Sequence, residues 1–434
     1  MLFFFLQNRI KTFKIQSSWN KAPCRNLLIK IYDFFRSNGQ EHIFHFRNPI
    51  HCQKESASNA ALTTNAFTGT YGVNYGRIAD NLPPPESVVT LLKAARIKNI
   101  RIYDADHSVL SAFADSGIEI IVGLGNEFLK DIAANGEKAM DWIKINVQPF
   151  LPRTKIVGIA VGNEVLGSGN DQELWEALVI AVRNVYICLE RLQLSRSIQV
   201  SSPHSEGVFA TSFPPSAGAF KEEILPYMKP LLQFFSQVGS PFYINAYPFL
   251  AYISDPTHID IRYALFKKNP GIIDTKSKLH YDNMFMAQID AAYFALEKVG
   301  YNKMEVIVSE TGWASKGDPN EPGTTIKNAR TYNLNLKKLL YKKKGTPYKP
   351  HTPIKAYIFA LFNEDLKPGP TSERNFGLFK PDGSVAYHIG FTGISSAPSS
   401  MFSFKGFRAQ GWFEYSKLLI ITICTAYVLL GVIS

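Results

Sequence analysis

Two carboxylates in this chain end runs that are otherwise apolar. Glu310 closes VIVSE, and Glu164 follows IVGIAVGN. An acid at the end of a buried strand loses hydration, so it needs a partner or a task. A pair of opposed acids facing one cleft has the chemistry of glycoside hydrolysis. One protonates the leaving oxygen, while the other attacks the anomeric carbon or activates water there. A lone strand-end Glu is explained as well by helix capping. Two of them, amid Tyr75, Tyr103, Tyr247, Trp313 and Phe362, whose rings suit stacking on sugars, favour catalysis.

The elements that would position these acids alternate along the chain. Short apolar runs rich in β-branched residues recur as TYGVNYG from Thr70, NIRIYD from Asn99, EIIVGLG from Glu119, KIVGIAVGNE from Lys155, IQVSSPH from Ile198, PFYINAYP from Pro241, MEVIVSE from Met304 and IKAYIFALF from Ile354. Between them lie helical spacings. Leu174, Leu178, Val182, Val185, Leu189 and Leu192 fall three or four apart, as do Phe285, Ile289, Ala292, Leu296 and Val299. Continuous apolar strands separated by amphipathic helices predict a parallel sheet buried on both faces. Eight such units predict an α/β fold of the (β/α)8 TIM-barrel type over residues 70–391. No G-x-G-x-x-G follows the first strand, which leaves a dinucleotide fold without direct support.

Active sites of such barrels lie at the carboxyl ends of the strands. Read in strand order, the polar residues there are Asn74 and Tyr75, then Tyr103, Asp104 and Asp106, then Asn163 and Glu164. His204, Asn245 with Tyr247, Glu310, and Asn363 with Glu364 complete the set. Strands four and seven lie across the barrel mouth from each other, so Glu164 and Glu310 would share a cleft.

The 434 residues allow a large barrel with extensions, since such barrels commonly take about 250 residues. A net charge of +11 suggests nucleic acid until it is located. Residues 1–69 alone hold nine Lys and Arg against three Asp and Glu, and no dense basic run is interleaved with aromatics. Nucleic-acid binding is therefore not expected. The four cysteines, Cys24, Cys52, Cys188 and Cys424, show neither C-x-x-C pairing nor metal-ligand spacing, so neither a zinc site nor any other metal is expected. Cys188 reads as a small core residue.

The two ends differ from the middle. MLFFFL is shorter than the roughly 7–15 apolar residues of a secretory signal, and residues 1–69 read as a basic N-terminal extension, either a targeting segment or a misassigned start. At the other end, within 392–434, Leu418 to Ile433 form an uncharged apolar run of 16 residues. That length fits the roughly 10–20-residue tail of a lipid-anchor signal, so a GPI or membrane anchor is expected.

The stretches YGVNYGRIADNLPPP, IRIYDAD, IAVGNEVL, SFPPSAGAF, GSPFYINAYPFLAY, HYDNMFMAQIDA, VIVSETGW and FALFNEDLKPGPTSERNFGLFKPDGS occur in one order between about Gly69 and Ile389. This region resembles plant glycoside hydrolase family 17, the endo-β-1,3-glucanases. The resemblance implies a retaining (β/α)8 hydrolase of β-1,3-glucans such as callose, acting as an extracellular monomer without a cofactor. It implies Glu164 as proton donor and later base, Glu310 as nucleophile, and Glu364, Lys367 and Glu373 as supporting residues. Asn163 is then a donor to the sugar 2-hydroxyl. A retaining pair needs its carboxyl groups about 5–5.5 Å apart. A barrel that binds the glucan without cutting it, and a transglycosylase using the same covalent intermediate, are the alternatives.

Several features depart from the family pattern. GWAS places Ala314 where GWPS is usual, which predicts a looser loop after the nucleophile. Thr325 or Ile326 stands where relatives often carry Cys. No N-x-[ST] sequon and no cysteine-rich binding module occur.

Overall fold

The computed structural model describes residues 67–391 and 393. The basic extension expected over 1–69, apart from its last three residues, and the apolar tail expected over 392–434, apart from Gly393, lie outside the described residues.

All eight anticipated strands form. They are β1 (Tyr71–Asn74), β2 (Asn99–Arg101), β3 (Glu119–Leu124), β4 (Lys155–Val161), the fifth strand in two pieces, β5 (Gln199–Ser201) and β6 (Pro203–Ser205), then β7 (Phe242–Asn245), β8 (Val306–Thr311) and β9 (Ala356–Ile358). Every pairing among them is parallel, in the order β5-β4-β3-β2-β1-β9-β8-β7-β6. The fifth strand breaks at Ser202. Its first half pairs with β4 through Gly158 and Gln199, and its second half with β7 through Pro203 and Tyr243. That division closes the barrel.

Main helices follow the strands as α1 (Pro85–Ala94), α2 (His107–Ala112), α3 (Gly136–Asn146), α4 (Gln172–Arg191), α5 (Leu225–Val238), α6 (Met284–Lys298) and α7 (Ile326–Tyr341). The spacing that predicted α4 buries Leu178, Val182, Val185 and Leu189, and Asp171 caps its start by accepting from the Leu174 N–H at 3.0 Å. Each such aliphatic side chain contributes about 1.5–3 kcal/mol. Cys188 is buried on the same face, as expected of a core residue. Thr325 caps α7 by accepting from the Asn328 N–H at 3.2 Å.

Inside the barrel, Phe67, Ile121, Val157, Ala160, Tyr243, Ile307 and Tyr357 form a separate buried cluster. The Phe67 ring packs edge-on against Tyr357 at 4.8 Å, and the Thr68 N–H donates to Glu119 at 2.8 Å. Residues 67–69, assigned from sequence to the extension, thus belong to the barrel. Among the described residues no helix is long and apolar enough to cross a membrane.

Candidate active site

Glu310 sits on a bulge. Along β8 the register against β7 runs from Val308 opposite Ile244 to Glu310 opposite Asn245, so β8 carries one extra residue there. Bulges re-aim side chains near active sites. This one also frees the Ser309 carbonyl from the ladder, and the carbonyl accepts from Asn74 Nδ2 at 3.0 Å and Arg101 Nη1 at 3.3 Å.

Two donors fix the Glu310 carboxylate. Arg101 Nη1 reaches Oε1 at 2.8 Å, and the Tyr247 hydroxyl reaches Oε2 at 2.9 Å. Glu310 is 7% exposed and Arg101 1%, so this charge-assisted pair is largely dry. Arg101 also donates through Nη2 to Asn163 Oδ1 at 2.7 Å, and its guanidinium lies 4.6 Å from the Tyr103 ring centre.

Glu164 lies just past β4 in a different setting. Gly162 and Glu164 both take left-handed backbone, with φ of +65° and +52°. For a non-glycine residue that conformation costs about 1–2 kcal/mol, and such strain concentrates at functional sites. Asn126 holds the turn: its Oδ1 accepts from the Asn163 N–H at 2.8 Å, and its Nδ2 donates to the Asn163 carbonyl at 3.0 Å. Asn245 Nδ2 donates to Glu164 Oε1 at 2.7 Å, while Asn245 Oδ1 accepts from the Ser309 hydroxyl at 2.6 Å. The two acids are therefore joined through Asn245 and the bulge. Burial, then the charge of Glu310, raises the Glu164 pKa; the Asn245 bond and the charges of Arg101 and Lys367 oppose that rise.

Glu364 is buried beside them and accepts from the Ile78 N–H at 2.9 Å. Burial raises its pKa, against the Ile78 bond and the Lys367 charge. A Cβ on Gly76 would lie 2.4 Å from Glu364 Oε2, so a side chain there would displace the Glu364 carboxylate. Lys367 Nζ pairs with Glu373 Oε2 at 3.0 Å and lies 4.1 Å from the Phe359 ring centre. Phe359 in turn contacts both Tyr103 and Tyr247.

The aromatic residues divide into two groups. Tyr103 and Tyr247 are half-buried beside Glu310, and burial together with the Glu310 charge holds both phenols well above their usual pKa. Trp313 is fully buried, with Nε1 donating to the Gly323 carbonyl at 2.9 Å and its ring against Phe249. Tyr75 and Phe362 are buried against each other. The expectation that Tyr75, Trp313 and Phe362 present faces to sugar is therefore corrected: their rings are buried against other aromatic side chains and leave no free face. Other strand-end residues serve structure. Asp106 caps α2, and Asp104 and Asp106 pair with Arg77. His204 is buried against Phe242, and burial alone pushes its pKa down to about 3, leaving it neutral.

Arg101, Asn126 and Ser309 were not singled out from sequence. Arg101 had a readable signal, a lone cation within the apolar run NIRIYD, by the same reasoning that marked Glu310. Among the described residues no group of His, Cys, Asp or Glu is arranged to hold a metal ion.

Residues 71–391 match the family model of the glycosyl hydrolases family 17. The chain is 48% identical over 322 residues to Glucan endo-1,3-beta-glucosidase 14 of Arabidopsis thaliana, covering 74% of this chain and 82% of that protein. It is 49% identical over 326 residues to Glucan endo-1,3-beta-glucosidase 11 of the same plant, covering 75% and 76%. Among solved structures, CJP38, a beta-1,3-glucanase and allergen of Cryptomeria japonica pollen, aligns with a TM-score of 0.71 and 41% identity, over 74% of this chain and 99% of that one. A match that runs the length of the barrel, at nearly half identity to relatives spanned for most of their length, means that this chain belongs to glycosyl hydrolase family 17.

Proposed function

We propose that the chain is a retaining endo-hydrolase of internal 1,3-β-D-glucosidic bonds in β-1,3-glucans such as callose. The observation that carries the mechanism is the unlike treatment of two strand-end acids. Glu310 is gripped by a guanidinium and a phenol, so its carboxylate is oriented for attack on the anomeric carbon. Glu164 is held toward its protonated form by burial and by Glu310, as a proton donor must be.

In the first step Glu310 forms a bond to the anomeric carbon while the bond to the leaving oxygen breaks and Glu164 gives that oxygen its proton. Glu164, now ionised, then takes a proton from water as the water displaces Glu310 and restores both groups. Asn245 donates to Glu164 and so supports its charged form between the steps. Asn163 has its Oδ1 occupied by Arg101, which leaves Nδ2 as the donor toward the sugar 2-hydroxyl. Lys367 places a compensating positive charge near Glu164 and Glu364. Tyr103 and Tyr247 border the bound sugar. No metal or organic cofactor takes part.

Mass spectrometry after incubation with a 2-fluoro-2-deoxy laminaribiosyl donor tests this assignment. Labelling on the peptide containing Glu310 is expected; labelling elsewhere, or an inverted product anomer by NMR, would contradict it. We place the enzyme at the wall or the outer face of the plasma membrane, as a monomer, with the apolar run Leu418–Ile433 as its anchor or anchor signal. Release of activity from membranes by a phosphoinositide-specific phospholipase is the expected result for a lipid anchor. Retention after that treatment, with release by detergent alone, would point to a spanning tail.

A further inference from the structure

The loop after the nucleophile strand grips the loop that carries Glu373. Ser315 donates to the Asn375 carbonyl through both its N–H, at 2.9 Å, and its hydroxyl, at 3.0 Å. Asp318 accepts from the Thr371 N–H at 2.9 Å and from the Thr371 hydroxyl. Glu321, buried, accepts from the Ser372 N–H at 3.2 Å and from the Ser372 hydroxyl, and its Oε2 also accepts from the Asp318 N–H at 2.8 Å. No cation forms an ion pair with either acid among the described residues, so their lone pairs are committed to this turn. The gripping loop is itself tied shut by the Trp313 bond to Gly323 and by the Glu321 N–H donating to the Asp318 carbonyl at 2.9 Å.

The gripped segment is the short 3-10 turn Thr371–Arg374, which holds Glu373. Glu373 fixes Lys367, and Lys367 sits on the face of Phe359, whose edges meet Tyr103 and Tyr247 beside Glu310. A continuous chain of contacts thus leads from the two carboxylates to the cation whose charge acts on Glu164 and Glu364.

We propose that Asp318 and Glu321 are positioning residues for the glucanase reaction, a two-carboxylate latch that sets Lys367 through the turn bearing Glu373. This rests on the reading of Lys367 as a supporting residue of the site. The latch also accounts for Ala314, which is fully buried between the Trp313 and Ser315 bonds. Contacts across the loops fix the backbone here, in place of a proline ring.

The test is a double-mutant cycle in the full chain on a linear β-1,3-glucan, pairing Asp318→Asn/Glu321→Gln with Lys367→Met. The latch variant is expected to lower kcat about tenfold with KM little changed, and to shift the alkaline limb of kcat/KM upward as Lys367→Met does. Combined, the two changes are expected to cost no more than Lys367→Met alone. Full additivity, or a latch variant with wild-type kcat beside an impaired Lys367→Met, would overturn the latch. Wild-type activity in Lys367→Met would overturn the role of Lys367 and the latch with it. Thr371→Val, which keeps both carboxylates, carries the same test if the double amide variant does not fold.

Discussion

Removing Arg101 leaves the Glu310 carboxylate buried with only Tyr247 donating to it. Breaking a buried pair in this way costs about 3–5 kcal/mol. Arg101→Met is therefore expected to lose that much stability in chemical denaturation and to lack activity, whereas unchanged stability would refute the buried pairing. Arg101→Lys keeps the charge but cannot bridge Glu310 and Asn163, so it is expected to fold with reduced kcat. The pH profile follows Glu164. Its raised pKa keeps the donor protonated above the ordinary value of about 4.3, and kcat/KM is lost as pH rises through it. Asn245→Leu removes a donor that favours the charged form, so the alkaline limb is expected to move to higher pH; a downward shift would contradict the assignment. Both acids were legible in sequence because a charge after an apolar strand needs a reason. The left-handed backbone at Glu164 and the two ends of Asn245 were not, since both depend on neighbours far away in the chain.

At the scale of elements, the eight strands and the faces of α4 and α6 could be read from periodicity. The bulge in β8 and the break at Ser202 could not, because VIVSE and IQVSSPH carry no mark of an extra or interrupted residue. The buried role of Trp313 was hidden too, since a loop tryptophan beside a catalytic acid reads the same whether it faces ligand or core. Helix α6 offers a test of its own. Asp290 is fully buried on it and accepts from the Tyr348 N–H at 2.9 Å, which ties down the loop after α7. Burial raises its pKa to about 6. An acid raised in the folded state stabilises the fold relative to its ionised form only while protonated, so that contribution fades as pH rises from about 4 through 6. Relative to wild type, Asp290→Asn is expected to gain up to about 3 kcal/mol between pH 4 and pH 7 in urea denaturation. A pH-independent difference would show that folding leaves the Asp290 pKa unshifted.

On the scale of the whole molecule, more than half of the net positive charge lies in residues 1–69, and the cleft sets Arg101 and Lys367 against Glu164, Glu310, Glu364 and Glu373. Phe67 packs within the barrel interior, and residues 65–395 include every group assigned to the chemistry. That fragment is expected to match the full chain in kcat; a fall of more than about tenfold would assign the flanking segments a part in the site. The most direct test of the central claim is reducing-end release from a linear β-1,3-glucan by wild type, Glu310→Ala and Glu164→Gln, with a β-1,4-glucan as control. Wild type is expected to cut only the β-1,3 polymer, Glu310→Ala to be inactive, and Glu164→Gln to fall by about 10²–10⁴. A folded wild-type protein that binds the β-1,3-glucan and releases no reducing ends would contradict the account and identify a binding barrel instead.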